Sequence, residues 1–532
     1  MSRAGQNNSI PRLRIAVAIA VLAFAGYMIY QGRADRSGPE SEALVTDEAD
    51  SSNVTANKMV ASIIATDKVE PPAVATVMIE TAEPLTVVSD KVEPPAVATN
   101  GANTEVAEQA EVLETATEQN ASEAAEAPAS STTTVGAKPS AVRLVRQDDG
   151  SWTLLRGGQP YFVKGVGGDS HLKDLVAAGG NSIRTWGMEE RTQAILDEAH
   201  SLGISVTLGH WLGHKRHGFD YGNTDQVAKQ LKDVIRLTKQ FKDHPALLAW
   251  GVGNEVETDQ DENVTMWQAI EEAAAAIKEI DPDHPTVCVV AELGRGNFKA
   301  RLLNQHCPSI DIIGINAYDY ASSAGSRLAS TGIDTPYLLT EYGPPLPGDL
   351  KLEPTSTEKA YIYRRTYKLG IEGQSNCLGG YSFLWGAKLE GTDTYFGQFL
   401  ESGERLAQME IFHELFSGAA PTNLVPQSEP MTFDDPTQTV AVGEDLSATW
   451  RVTDPDGDAL TYRWELKAEL ARTVGGDATA GRKEIKGALR VGRSGQVTIR
   501  HSEPGRYRLY GYAFDGHGNA ATTSASVAVD PR

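Results

Sequence analysis

Residues 247–255 read LLAWGVGNE and residues 337–343 read YLLTEYG, and each is an apolar strand pattern that reaches a carboxylate near its end. Similar apolar segments alternate with helical patterns between residues 142 and 418. The eight predicted strands are 161–164, 181–185, 204–208, 247–252, 286–290, 310–315, 337–340 and 378–383. Strands that alternate with helices form parallel sheets, and eight such units favour a closed (β/α)8 TIM barrel over an open doubly wound sheet. The α/β barrel is predicted to occupy residues 139–418.

A second β-rich region follows the predicted barrel. Beyond a proline-bearing linker at 419–430, residues 431–532 show period-2 strands without helices, which predicts a small Ig-like β-sandwich. The segments around residues 454–464 and 505–519 resemble PKD- or cadherin-like modules. The aspartates at 454–458 are candidate ligands for a structural calcium ion, although no EF-hand glutamate follows and turn formation explains them equally well.

The first 33 residues predict a membrane anchor. Arginines precede an uninterrupted apolar run at residues 15–30, which is slightly short for a bilayer core of about 30 Å. A cleaved signal peptide is the alternative, because residues 23–25 form an A-x-A-like site. In either case the chain beyond residue 33 is expected on the periplasmic or extracytoplasmic side, held by a single pass through the cytoplasmic membrane or secreted.

Residues 34–138 differ in composition from the rest of the chain. They contain no Phe, Trp or Tyr, and 19 acidic residues stand against 5 basic ones. Such a segment cannot bury enough apolar surface to fold, so a disordered acidic linker is predicted. The sequence DKVEPPAVAT occurs at 67–76 and again at 90–99, which we interpret as a duplicated spacer.

The charge and cysteine content exclude several function classes. The chain has 48 Lys and Arg against 71 Asp and Glu, a net charge of −23, of which the predicted linker carries −14. Nucleic-acid binding requires clustered basic residues, so no nucleic-acid partner is predicted. Three cysteines without a CxxC pair argue against a disulfide scaffold and against zinc or redox chemistry.

Two glutamates, Glu255 and Glu341, lie at the predicted carboxyl ends of the fourth and seventh barrel strands. Catalytic groups of such barrels lie at this end of the strands. Two carboxylates in one cleft suit cleavage of a glycosidic bond, which needs a proton donor on one side and a nucleophile or base on the other. The pair therefore predicts a glycosidase site.

Asn254-Glu255 after strand four and Glu341 after strand seven resemble the signature of clan A, the 4/7 superfamily of retaining glycoside hydrolases. The likeness is greatest to families 2 and 5, and the opening hairpin and residues 162–166 are similar to family 72 glucanosyltransferases. The resemblance implies that Glu255 is the acid/base, that Glu341 is the nucleophile and that Asn254 holds the sugar 2-hydroxyl. Residues 181–186 lack the His-Tyr-Pro that often follows the arginine in family 2.

The same resemblance implies supporting roles for three further residues. Tyr318, after strand six, would orient the nucleophile, and Arg184, after strand two, would support the same carboxylate. Trp385, just past strand eight, would form the aromatic platform beneath the reactive sugar. No cofactor and no catalytic metal is expected.

The loop after strand three holds three histidines, His210, His214 and His217, at a spacing that could mimic a metal site on a helix. Its glycines favour a sugar-lining loop instead, so His210 is predicted to contact substrate. Trp186 and Trp211 also follow strands, and they are expected either to stack on sugar units or to pack at the rim of the barrel.

Three functions remain open at this point. The first is a membrane-tethered retaining hydrolase of a β-glucan-like polysaccharide or oligosaccharide. The second is a transglycosylase with the same residues, in which a sugar hydroxyl replaces water. The third is a non-catalytic protein that binds or assembles polysaccharide.

Overall fold

The structure, a computed structural model, describes residues 141–345, 351–469 and 483–532. All of these residues belong to one compact unit, Glu123–Arg532. Within the described ranges, none of the helices combines the length and the apolar character needed to cross a bilayer. The anchor predicted at 1–33 and the linker predicted at 34–138 lie outside the described residues.

A short antiparallel hairpin sheet precedes the barrel. Its strands are β1 (Val142–Arg146), β2 (Trp152–Arg156) and β3 (Gln159–Pro160). Leu154 of β2 packs with Val163 and Leu248 in an apolar cluster made largely of barrel-strand residues. The hairpin thus contributes to a core that the barrel strands share.

Eight parallel strands close into a barrel, in which each strand pairs with the next and the last pairs with the first. They are β4 (Val163–Gly167), β5 (Ser182–Arg184), β6 (Ser205–His210), β7 (Leu247–Asn254), β8 (Thr286–Ala291), β9 (Ile312–Asn316), β10 (Tyr337–Tyr342) and β11 (Cys377–Ser382). The prediction of a TIM barrel is confirmed. Most residues of these strands are apolar or small, because both faces of the strands are buried.

Helices cover the outside of the barrel. They are α1 (Leu172–Ala177), α2 (Thr192–Ser201), α3 (Thr224–Phe241), α4 (Val264–Ile280), α5 (Phe298–His306), α6 (Ala324–Ala329), α7 (Ser356–Thr366) and α8 (Ala407–Ser417). Polar caps fix where several of them begin. Asn223 accepts the amides of the first turn of α3, and Thr355 and Glu358 form a capping box at α7.

The C-terminal residues form two facing four-stranded sheets. The strands are β12 (Gln427–Ser428), β13 (Thr432–Phe433), β14 (Thr439–Ala441), β15 (Leu446–Thr449), β16 (Val452–Thr453), β17 (Thr461–Ala468), β18 (Leu489–Val491), β19 (Gln496–Ile499), β20 (Gly505–Phe514) and β21 (Ala520–Asp530). One sheet has the order β13-β15-β19-β18 and the other β14-β21-β20-β17, and a small pair β12-β16 lies beside them. Trp450, Trp464 and Leu509 lie in the core that the two sheets enclose.

Residues 419–430, predicted as a linker, are packed against the barrel and paired with the sandwich. Val425 is buried against Ala360 and Ile411, and its amide donates to Glu410 Oε2 at 2.9 Å. Strand β12 pairs with β16. The apolar contacts of Val425 and its hydrogen bond to Glu410 both hold the segment on the barrel surface.

Three carboxylates of the sandwich, from Asp454, Asp458 and Asp515, have oxygen atoms within 4.8 Å of one another. The amides of Asp456 and Asp458 both donate to Asp454 Oδ1 at 3.0 Å, which is the turn-forming pattern. Asp456 itself accepts the amide of Leu424 through Oδ2 at 2.6 Å. The calcium site and the likeness to PKD modules remain predictions.

Candidate active site

The end of β7 is irregular, and this irregularity presents Asn254 and Glu255 at the carboxyl end of the barrel. The pairing of β7 with β8 shifts register between Gly251 and Asn254. Gly253 has a φ of 77°, and a Cβ there would lie 2.6 Å from Val256 Cγ2, so this position requires glycine. Glu255, with a φ of 52°, is the first residue beyond the strand.

Glu341 lies near the end of β10 and accepts hydrogen bonds from three side chains. Arg184 Nη1 donates to Oε1 at 3.0 Å, and Trp186 Nε1 donates to the same oxygen at 2.7 Å. Tyr318 Oη donates to Oε2 at 2.6 Å. Every partner donates and one of them is a guanidinium, which is the environment that suits a carboxylate anion.

A chain of side chains joins the two glutamates. Arg184 Nη2 donates to Asn254 Oδ1 at 2.6 Å, and Asn316 Nδ2 donates to the same oxygen at 3.1 Å. Asn316 Nδ2 also donates to Glu255 Oε1 at 2.8 Å. Because Arg184 also contacts Glu341, the orientations of both carboxylates are fixed by one connected network.

Glu255 has a different environment from Glu341. Burial, followed by the negative charge of Glu341, raises the pKa of Glu255 to about 7. A carboxyl group with this pKa keeps its proton near neutrality and can act as a general acid. The site therefore holds one glutamate suited to proton donation beside another that is surrounded by donors.

Asn316, the last residue of β9, is a site residue that the sequence reasoning did not single out. Asn316 donates to Asn254 and Glu255, and its Oδ1 accepts a hydrogen bond from Thr340 Oγ1 at 2.8 Å. The available signal was its position, since it ends the sixth barrel strand two residues before Tyr318. A polar residue at that place is a candidate for the site by the strand-end rule.

Glu257 was also missed, and it supports the loop that carries Glu255. It is buried and accepts from Lys299 Nζ at 3.0 Å and from the amide of Ala291 at 2.8 Å. Burial raises its pKa in spite of the nearby ammonium. Since Ala291 ends β8, Glu257 ties the loop after β7 to the neighbouring strand.

Trp186 contacts the site through its ring nitrogen. Its indole N–H donates to Glu341, and its ring meets Phe383 edge-on at 5.8 Å between centroids. The guanidinium of Arg184 lies 5.3 Å from the ring centroid. The structure thus gives Trp186 a direct contact to the candidate nucleophile, a role that neither sequence alternative included.

Trp385 is not available to a sugar, so the predicted platform is wrong for this residue. It is 1% exposed and packs against Phe399 and Phe412, between the barrel and α8. The reason is local, since the Trp385 amide donates to Gly167 O at 2.8 Å and so continues the pairing with β4. The indole N–H donates to His171 O at 3.2 Å.

His210 is largely buried but lines a cavity beside Trp211, so its predicted contact with substrate stays a prediction. It is 2% exposed, its ring stacks on Trp250 at 5.2 Å, and its Nε2 lies 3.1 Å from Thr238 Oγ1. Burial lowers the pKa of His210 to about 3, so it stays neutral. His210 is the last residue of β6, and its side chain packs toward α3 in the barrel wall.

Trp211, the next residue, remains at the surface. It is 46% exposed, and one face of its ring stacks on His214 at 4.7 Å. Among the described residues, the one group of three or more potential metal ligands that lie close together is the aspartate group of the sandwich.

No protein-family model and no curated protein sequence matches the chain. Solved structures similar to it include a β-glucuronidase of Bacteroides uniformis, at 14% identity and a TM-score of 0.40, with 74% of this chain and 48% of that chain covered. A β-glucuronidase of Ruminococcus gnavus is similar at 17% identity and a TM-score of 0.43, with 54% of each chain covered. A GH2 β-galacturonidase of Eisenbergiella tayi bound to galacturonate has 16% identity and a TM-score of 0.42, with 53% and 55% covered. The chain thus spans about half the length of the solved structures that it matches.

Proposed function

We propose that the protein is a retaining glycoside hydrolase that cleaves β-linked glycosides by double displacement. The observation that carries this proposal is the contrast between the two glutamates. Glu255 has a pKa raised to about 7, whereas Glu341 accepts three hydrogen bonds, one of them from a guanidinium. One proton donor and one nucleophilic carboxylate are the two groups that the retaining reaction needs.

In the first step the Glu341 carboxylate bonds to the anomeric carbon while the bond from that carbon to the leaving oxygen breaks. Glu255 gives its proton to this oxygen. In the second step water attacks the anomeric carbon, Glu255 takes a proton from the water, and Glu341 is released. Together the two steps return the site to its starting protonation.

The hydrogen-bond network around Glu255 and Glu341 suits the changes of charge that occur in these two steps. Arg184 and Tyr318 hold Glu341 in one orientation, so little reorganisation is needed when it attacks. The Asn254 Oδ1 atom already accepts two hydrogen bonds, which leaves its Nδ2 as the group that donates to the sugar 2-hydroxyl. A hydrogen bond at that hydroxyl strengthens in the transition state.

The product configuration tests the proposal. The full chain is incubated with β-linked glucans, mannans and galactans, and the first anomer formed is identified by proton NMR before mutarotation. We expect a β anomer. An α anomer, or no turnover of any β-linked substrate, would contradict the proposal.

We further propose that the substrate is a polymer, and the exposed ring of Trp211 supports this. The ring borders a cavity of about 420 Å³ whose wall includes Met188, Phe219 and Gln230. An exposed indole beside a cavity with both apolar and polar lining residues is suited to stacking against a further sugar unit.

Trp211→Ala is expected to raise KM for long oligosaccharides about five- to tenfold, because a stacking contact is lost. Hydrolysis of a simple aryl glycoside should change less than about twofold. Tyr361→Ala is the control, since Tyr361 is an exposed aromatic residue of α7. Equal KM values for long substrates in the parent and Trp211→Ala would show that Trp211 only packs at the rim.

We further propose that the enzyme works on polysaccharide outside the cytoplasmic membrane, tethered through residues 1–33. The support is the sequence of this segment, in which arginines precede an apolar run, followed by an acidic linker. Full-length protein should sediment with membranes after an alkaline wash, whereas a variant without residues 1–33 should not. Recovery of the full-length chain in the soluble fraction would contradict the anchor.

A further inference from the structure

The loop that follows the last barrel strand lies between the candidate active site and the C-terminal sandwich. We call residues 383–406 the β11–α8 loop, since they connect these two elements. One side of the loop contacts the residues around Glu341, and the other side contacts strands of the sandwich.

The inner side of the loop packs on Tyr318. Phe396 meets the Tyr318 ring at 5.6 Å and Phe383 meets it at 5.9 Å, both edge-on. Tyr395 packs on Phe396 at 4.9 Å. Because Tyr318 Oη donates to Glu341, the loop supports the ring that orients the candidate nucleophile.

The outer side of the loop is tied to the sandwich by polar contacts at two places. Asp393 Oδ2 accepts from Lys467 Nζ of β17 at 2.8 Å, and both side chains are largely buried. Further along, the Arg405 amide donates to Gly518 O and the Ala520 amide donates to Arg405 O, each at 2.9 Å. These contacts hold residues near both ends of the segment 393–405.

Apolar contacts fill the space between the two polar ties. Leu400 and Leu406 of the loop form a buried cluster with Tyr510, Tyr512 and Ala520 of the sandwich. A packed apolar contact of this kind holds one arrangement, because protein interiors are close-packed and do not deform continuously.

A buried ion pair joins the loop, α7 and the sandwich. Glu353 and Lys359 form a salt bridge with both side chains fully buried. Glu353 accepts from Thr392 Oγ1 at 2.6 Å and Thr394 Oγ1 at 2.9 Å in the loop, and from Ser524 Oγ of β21 at 2.6 Å. A buried charge must be fully paired, so displacement of any of these groups is costly.

We propose that the C-terminal sandwich is a positioning element of the active site. Lys467 and Ser524 hold the β11–α8 loop in the place where Phe396 fixes Tyr318 against Glu341. Their effect on the reaction passes through the loop, since they contact Asp393 and Glu353 rather than Glu255 or Glu341. The kinetic part of this inference rests on the proposed function, whereas its structural part can be measured without any activity.

The test uses Lys467→Met in the full chain. We expect kcat to fall about tenfold with KM changed less than about twofold, because a small displacement of a positioned group slows the chemical step more than it weakens binding. Lys467→Arg should restore most of the rate, because it keeps the charge that pairs with Asp393. The control is Arg451→Met, which removes a well-exposed ion pair of the same sandwich with Glu429.

Coupling to Phe396 separates positioning from a general loss of stability. Phe396→Leu should lower kcat to a similar degree, and the double variant Lys467→Met/Phe396→Leu should be no slower than the slower single variant. Independent, multiplying effects would overturn the proposal. So would a folded Lys467→Met protein whose kcat is within about twofold of the parent.

Hydrogen exchange provides the readout that does not depend on activity. In Lys467→Met, peptides covering 392–406 and 316–320 should both exchange faster than in the parent, whereas Arg451→Met should leave them unchanged. Unchanged exchange at 316–320 would overturn the positioning of Tyr318, whatever the protein hydrolyses. A parent chain with this exchange pattern that cleaves no β-linked substrate would refute the proposed function and leave the positioning of Tyr318 standing.

Discussion

Glu341→Gln should abolish hydrolysis, with kcat reduced by about 10⁴-fold or more, as expected when a covalent nucleophile is lost. The amide cannot form the glycosyl ester, and its NH2 group cannot accept the hydrogen bond that Tyr318 Oη or Arg184 Nη1 donates to one carboxylate oxygen. The measurement is kcat on the best β-linked substrate of the parent.

The matched control for Glu341→Gln is Glu262→Gln. Glu262 is exposed and lies at the carboxyl end of the barrel, in the loop between β7 and α4. Its variant should keep the parent rate within about twofold. A Glu341→Gln protein that is folded and retains the rate of this control would rule out Glu341 as the nucleophile.

Glu255→Gln should affect substrates according to their leaving groups. We expect kcat/KM for an unactivated disaccharide to fall about 10³-fold, because the proton donor is lost, while an aryl glycoside with an acidic leaving group should be affected far less. The comparison of the two substrates in the parent and in the variant is the measurement. Equal losses for both substrates would show that Glu255 does not protonate the leaving oxygen.

The pH profile checks the same residue. Because burial and the charge of Glu341 raise the pKa of Glu255 to about 7, the acid form dominates below pH 7 and is lost above it. The parent kcat/KM should therefore fall on the alkaline side with a midpoint near pH 7, and Glu255→Gln should lose this limb for the aryl glycoside. An alkaline limb that persists in the variant would assign it to another group.

Much of the fold is predictable from the chain, because barrel strands that are buried on both faces leave a strong signal. The fourth strand is predicted at 247–252 and observed at Leu247–Asn254, and the eighth is predicted at 378–383 and observed at Cys377–Ser382. The differences fall at the ends, where Gly253 allows the irregular backbone that presents Glu255. Strand ends are also the place where propensity is least informative.

The residues of the candidate site were likewise predictable only in part. Arg184, Tyr318 and the two glutamates converge because each stands at a strand end, and register then brings strand ends together. Trp385 and His210 also stand near strand ends, but backbone pairing with β4 buries Trp385, and packing toward α3 buries most of His210. The direction of a side chain at a strand terminus depends on one or two backbone torsions that a sequence pattern does not specify.

The contact between the sandwich and the β11–α8 loop could not be predicted from the sequence. Asp393 and Lys467 are separated by 74 residues, and neither stands in a motif. Their pairing results from how the sheet of β20 and β21 packs on Leu400 and Leu406. Contacts between units of this kind arise from surface shape, which leaves no periodic signal.

The central claim, that Glu341 forms a covalent bond to the sugar, is tested most directly by trapping. A 2-deoxy-2-fluoro β-glycoside with a good leaving group slows the second step more than the first, so the glycosyl-enzyme accumulates. Mass spectrometry of the digested protein should show one added sugar on the peptide that contains Glu341, and none in Glu341→Gln. Sugar attached to another residue, or no adduct in a protein that is hydrolysing its substrate, would contradict the account.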